Sequence, residues 1–287
     1  MATIRELRRR INAIKSTQKI TRAMQMVAAA KLRRAQENIL KARPYAIQLD
    51  TIIAQVAMRT KRDMHPLLED RTGDDRRLLV LVTADAGLCG AFNANMMRSA
   101  TQYLRENSGR EVDLFCIGRK GRDFFRKTDV NMIGDKVMFF NHLKYADAVD
   151  VTSRICSLFL EKGYDRVDIL YNEFKSAIQH LQRVRQLLPL VPAEPEEGVH
   201  TIDYLYEPGE YEVFDKLIPF HLEVQVWRIL LESLAAEMGA KMTAMDSATE
   251  NASELLNTLS ITYNRARQAL ITKELLEIVG GAEAMLG

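Results

Sequence analysis

The first glycine in the chain is Gly73, and before it only Pro44 and Pro66 interrupt the run. Glycine and proline are the residues that turns are built from, so their scarcity excludes a loop-rich start. Cysteine is scarce too: Cys89, Cys116 and Cys156 are odd in number and show no CxxC spacing. That argues against a disulfide framework or a zinc site and points to buried thiols in a reducing compartment. No stretch approaches the roughly 20 apolar residues of a membrane span. The start, MATIRELRRRINAIK, lacks the apolar core of a secretory signal and reads as the first turns of a helix. With 47% apolar and 27% charged residues, the 287-residue chain is neither collagen-like nor disordered, and its length allows one or two domains.

What is present is unevenly spread. Residues 1–43 hold 12 Lys/Arg against 2 acids, whereas residues 210–287 hold 6 against 12. The basic end carries apolar residues at Ile4, Leu7, Ile11 and Ile14, then at Ile20, Met24 and Val27, and later at Ile39, Ile53 and Val56. The opening 3/4 spacing is a coiled-coil seam, and the gap over Lys15–Lys19 predicts a shift of face. A helix of about 55 residues would be about 80 Å long, with Pro44 as a candidate bend. The acidic end holds Val213, Leu217, Phe220, Val224, Trp227, Leu231, Leu234 and Met238 at 4/3 spacing. It continues through Met242, Met245, Ala248, Ala252, Leu255 and Leu259, with Gly239 as its only glycine before Gly280. Two long seams of opposite charge predict an antiparallel intramolecular coiled coil. The plainer alternative, separate amphipathic helices lying on a globular core, rarely calls for such length.

Between them the pattern changes. RRLLVLVTADAGLCG reads as a buried strand entering a glycine-bearing loop, and EVDLFCIGRKG repeats the arrangement. DAVDVTSRICSLFLEKGYDRVDILYNEF reads as a helix, a Lys-Gly stop and a strand. This alternation predicts an α/β domain, Rossmann-like, with a mostly parallel sheet over residues 75–190. AIQHLQRVRQLLPL is ambiguous between helix and edge strand. The proline-rich stretch over 191–210 reads as a linker, leaving 1–60 and 211–287 as the two helical arms.

Chemistry is harder to find. The loop holding Asp85, Gly87, Leu88, Cys89 and Gly90 lies where an α/β sheet would bind a ligand. It matches neither GxGxxG nor GxxxxGK[ST], and a tight strand-to-helix turn is the stronger explanation. Cys89 has no base beside it in sequence, and the five histidines have no metal-ligand spacing. No catalytic constellation emerges. The basic arm suits phosphate neutralisation, but no aromatic residue precedes Tyr45, which weakens nucleic-acid binding against a solvated face. Met24, Met26, Val27 and Ala28–Ala30 instead form a smooth, adaptable contact surface. The basic residues Arg8–Arg10, Lys31, Arg33 and Arg34 suit the acidic surface of a protein partner.

Three stretches together resemble the γ subunit of bacterial F-type ATP synthases, over essentially the whole chain. STQKITRAMQMVAAAKLRRAQ is similar to the family's N-terminal signature, TADAGLCGAFNAN to its strand-loop motif, and YNRARQALITKELLEIVGGA to its C-terminal signature. Ala86 departs from the basic residue often found there, and the cysteine-bearing insertion of the chloroplast form is missing. The resemblance implies a non-catalytic rotor shaft without cofactor or metal, inside a ring of α and β subunits. Its further partners would be the ε subunit and the c ring, on the cytoplasmic face of the bacterial membrane. It places Met24 near the moving part of the β subunit and has Arg267, Gln268 and Thr272 contact a β-subunit loop. LLEIVGGAEAMLG is then an apolar tip with flexible glycines. The alternatives are a basic coiled-coil nucleic-acid-binding protein and a small-molecule α/β enzyme with helical arms.

Overall fold

The computed structural model describes residues 3–57, 65–69, 71, 73–191, 207 and 209–286; most of the stretch 191–210, expected as a linker, lies outside them, as does the Val56 side chain. The element order is α1 (Ile4–Ala57), β1 (Arg76–Val82), α2 (Phe92–Glu106), β2 (Glu111–Ile117), α3 (Arg119–Phe125) and β3 (Met132–Lys136). There follow α4 (Tyr145–Lys162), β4 (Arg166–Phe174), β5 (His180–Leu188) and α5 (Glu210–Leu286). The helix α1 runs through Pro44 and α5 runs through Pro219. The chain divides into two compact units, Met1–Val27 with Met242–Gly287, and Ala28–Lys241.

The larger unit is built on a sheet of order β3-β2-β1-β4-β5. The pairs β1–β2, β1–β4 and β2–β3 are parallel, and β4–β5 is antiparallel. The ambiguous AIQHLQRVRQLLPL is therefore an edge strand; Arg183, Val184 and Arg185 are exposed because, among the described residues, nothing covers that stretch. Central β1 is a continuous apolar run because both of its faces are covered. Leu78, Val80 and Val82 enter one core cluster with Val151, Ile155 and Phe159 of α4. Leu79 and Leu81 point the other way, into a cluster with Met96 and Ala100 of α2. The helix α4 stops at Gly163, whose φ of 65° and ψ of 42° form the left-handed cap that the Lys-Gly signal predicts.

The α5 helix of this unit buries two stripes. Leu217, Phe220 and Val224 meet Ala46 and Leu49 of α1. Phe214, Ile218, Leu222, Val226 and Leu230 pack into the sheet core. The 4/3 pattern finds the first stripe but not the second, because a helix covered on two sides loses the single apolar face on which periodicity depends. Long helices lying on a globular core and a helix pair thus coexist. Gly239 has its own reason: a Cβ there would stand 2.9 Å from the Ala177 carbonyl oxygen, so glycine lets α5 approach the backbone after β4.

Candidate functional site: the helix pair and the strand-end loop

In the smaller unit, α1 and α5 run antiparallel. The Thr21 and Thr249 hydroxyls lie 2.7 Å apart, and Gln25 Nε2 donates to Asp246 Oδ1 at 2.8 Å. Burial along α1 follows Ile4, Leu7, Ile11, Ile14, Gln18, Thr21 and Gln25, an unbroken 3/4 spacing. The expected shift of face does not occur. Polar residues occupy the seam instead, and cross-helix hydrogen bonds satisfy two of them. Ile20 and Val27, expected on the seam, are 58% and 57% exposed. On α5 the seam runs through Met245, Thr249, Ala252, Leu256, Leu259, Tyr263 and Ala266. Leu255 is displaced to the surface, since Leu256 holds the heptad position.

The Thr21–Thr249 register, carried along both seams, sets Ile4 level with Ala266. Every residue from Arg267 to Ala282 is exposed, including Leu270, Ile271, Leu275, Leu276, Ile278 and Val279. Among the described residues nothing pairs with these last turns of α5, whose apolar side chains stand in water. Gly280 and Gly281, expected to be flexible, lie within the helix. Arg267, Gln268 and Thr272 all belong to this segment and are exposed. Met24 is half-buried beside the seam, and its neighbour Met26 is exposed.

In the larger unit, Arg33 Nε pairs with Glu37 at 3.1 Å on the exposed face of α1, and Arg34 is exposed. Lys31 donates to Asn141 at 3.1 Å, so it is partly engaged within the chain. The loop after β1 is a closed structure. Asp85 Oδ1 accepts from the backbone N–H of Arg119 at 3.0 Å and of Met138 at 2.9 Å. Its Oδ2 accepts a longer bond from the Phe140 N–H at 3.4 Å, so one carboxylate joins the ends of β1, β2 and β3. Leu88 and Gly90 have positive φ of 63° and 56°. Asn93 holds the turn from inside, accepting from Ala84 N at 3.0 Å and donating to the Ala86 carbonyl at 3.2 Å. Gly87 packs near Lys120. Sequence reasoning missed Asn93; its position in the first turn of the helix that follows a glycine loop was the available signal.

Cys89 is buried with Ala84, Phe92 and Ala236, and burial pushes its thiol up. Burial likewise pushes Cys156 to about 11 and, with Asp135 adding, Cys116 to about 12. Thiols of this kind are poor nucleophiles. Nearby, Glu237 pairs with Lys241 at 2.9 Å, and burial holds its carboxyl above the ordinary range against the pull of that lysine. A second polar group unseen in the sequence joins the two helices: Asp50 Oδ1 meets His221 Nε2 at 2.6 Å and accepts from Gln225 at 2.5 Å. Among the described residues no three His, Cys, Asp or Glu side chains are grouped as a metal site, and no helix is long and apolar enough to cross a membrane.

These features define a class: an α/β domain with a mainly parallel sheet, carrying long N- and C-terminal helices that form an antiparallel coiled coil. The ATP synthase family profile matches residues 3–285. The ATP synthase gamma chain of Chlorobium phaeobacteroides is 47% identical over 293 residues, covering 100% of both chains. That of Chlorobaculum parvum is 47% identical over 290 residues, covering 99% of each. The chain belongs to the ATP synthase gamma-chain family. A rotor chain of the Euglena gracilis mitochondrial ATP synthase shares the fold, with a TM-score of 0.68 at 22% identity over 93% of this chain and 98% of that one. A central-stalk chain from Tetrahymena thermophila does so with a TM-score of 0.62 at 23% identity, over 80% and 99%.

Proposed function

We propose that this chain is the central rotor shaft of an F-type ATP synthase. It couples ion flow through the membrane sector to conformational change at catalytic β subunits and performs no catalysis itself. The observation that carries the proposal is the end of α5: from Arg267 onward a helix presents Leu270, Leu275, Leu276, Ile278 and Val279 to solvent. Isolated helices are marginal in water, and a large exposed apolar patch marks an interaction site. A ring of α and β subunits would cover this segment. Arg267, Gln268 and Thr272 would hydrogen-bond a β-subunit loop, and Met24, Arg33 and Arg34 would face the surfaces that move during turnover. The α/β domain would sit on the ε subunit and the c ring, at the cytoplasmic face of the bacterial membrane. The Asp85–Gly90 loop shapes that domain and binds no ligand in this scheme.

The energetics are within reach. Moving one β subunit from 1:99 to 99:1 between two states requires about 5.5 kcal/mol of differential contact. At about 25 cal/mol per Å² that corresponds to roughly 220 Å² of apolar surface, a few side chains of the size exposed on α5. Because the two seams brace each other, torque passes along both helices together.

A disulfide between Met24→Cys and a cysteine placed in the β subunit tests the proposal in the assembled enzyme. Turnover should stop on oxidation and return on reduction. Removal of residues 267–287 should leave ATP hydrolysis while weakening its coupling to ion flow. Full coupling after both perturbations refutes the shaft.

A further inference from the structure

The larger unit holds a groove of about 790 Å³ between α1, α5 and the segment leading into α4. Its walls are aromatic. The Tyr45 and Phe220 rings stand edge to face with centroids 6.0 Å apart, and Tyr145 and Trp227 repeat the arrangement at 6.0 Å. Core aromatics would be covered, yet Tyr45 is 56% exposed and Tyr145 is 37% exposed. Lys41 and Lys144 stand at the rim, both exposed, and among the described residues neither forms a salt bridge. The adjacent acid, Glu223, accepts a hydrogen bond from the Tyr145 hydroxyl at 2.9 Å. Burial and then that carboxylate push the phenol up, and the hydroxyl engages one oxygen of Glu223, the negative charge on this wall that the two lysines must outweigh. The helix α4 begins at Tyr145, and the Asp147 carboxylate already meets its positive end by accepting from the Lys144 N–H at 2.8 Å, which leaves the two lysines to supply the charge for an anion.

From this we propose that the groove binds a small amphipathic anion: an aromatic or aliphatic body carrying one carboxylate, sulfonate or phosphate group. Small-molecule sites have volumes of about 300–1,000 Å³, with mostly apolar walls and a few polar groups that fix orientation. Here the four rings take the apolar body and the two ammonium groups take the charge. Such a ligand touches α1, α5 and the start of α4 together, so it braces the helices against the domain, and the folded chain gains stability by mass action.

Trp227 is the chain's single tryptophan, which makes the site its own reporter. The purified full-length chain is titrated with 8-anilinonaphthalene-1-sulfonate, and with the uncharged 1-anilinonaphthalene as control. Expected are saturable one-to-one binding of the sulfonate, quenching of Trp227 by energy transfer, and weaker binding of the neutral analogue. Lys41→Glu combined with Lys144→Glu should weaken the sulfonate roughly tenfold, since rim charges of this kind contribute modestly one by one. Trp227→Phe should remove the transfer while leaving the probe's own emission. Equal affinity for both probes, or binding indifferent to the charge reversals, overturns the proposal and assigns the signal to the exposed end of α5. Binding to the free chain that vanishes in the assembled enzyme also overturns it, because the groove would then be a seat for a protein partner.

Discussion

Asp85→Ala offers the sharpest test of whether the strand-end loop is a structural tie or a contact. The carboxylate is 7% exposed and accepts two good backbone hydrogen bonds, from Arg119 at 3.0 Å and Met138 at 2.9 Å, with a weaker one from Phe140. Hydrogen bonds to a charged group are worth about 1.5–3 kcal/mol each, and the stranded donors add a desolvation cost. One effect opposes this: Asp85 is a minor contributor to the raised Glu237 carboxyl, behind burial and Lys241, so its removal eases that group slightly. The lost bonds win, and Asp85→Ala should destabilise the larger unit by about 3–5 kcal/mol, a value that marks a broken buried network. Asp85→Asn keeps one acceptor oxygen for Arg119 and Met138 but turns its amide toward the Phe140 N–H, for about 1–2 kcal/mol. Urea unfolding of the full-length chain, followed by Trp227 emission, gives both values. Should Asp85→Ala cost less than about 1 kcal/mol, the tie is refuted. If it also abolished coupled ATP synthesis, the loop would have to be a partner contact.

Glycine positions give a second test. A Cβ on Gly118, where φ is 94°, would lie 2.0 Å from the Thr83 carbonyl oxygen, so Gly118→Ala should abolish soluble expression. Gly239→Ala meets a backbone oxygen at 2.9 Å and should cost about 1–3 kcal/mol in urea unfolding. Burial lowers the imidazoles of His65 and His180 from the ordinary 6.5, with Asp215 opposing it weakly at His65. The folded state thus favours neutral rings, so stability is full above about pH 6.5 and falls as pH drops through that value toward the depressed folded pKa. Urea midpoints measured from pH 7.5 to 5 should decline, and the His65→Asn, His180→Gln double variant should decline less; an unchanged slope would discard the assignment. In the helix pair, Thr21→Val with Thr249→Val removes both partners of a half-buried hydrogen bond and should be neutral or stabilising by up to about 1 kcal/mol. Slower hydrogen exchange over residues 10–25 would show it, whereas faster exchange would show that the hydroxyl pair fastens the helices.

How far the sequence reached depends on what each residue had to satisfy. The strands β1, β2 and β4 were legible because β1 is buried on both faces, which writes an uninterrupted apolar run, and because Gly163 marks the end of α4 before β4; β3 went unread and the half-exposed β5 stayed ambiguous. The seam of α1 was read only where apolar residues carry it. Gln18, Thr21 and Gln25 keep the heptad but not the hydrophobicity, since partners across the seam replace water for Thr21 and Gln25. The exposed Ile20 and Val27 then drew the pattern to the wrong face. The same displacement is informative about function. A sequence that spends polar residues inside its seam and apolar ones outside it contradicts the requirements of a free coiled coil. That contradiction disappears if the outer face is itself an interface. The contact residues proposed on α1 and at the end of α5 therefore stand where local rules fail, and an α/β ring that left Ile20, Val27 and Leu276 in water would remove the reason for the failure.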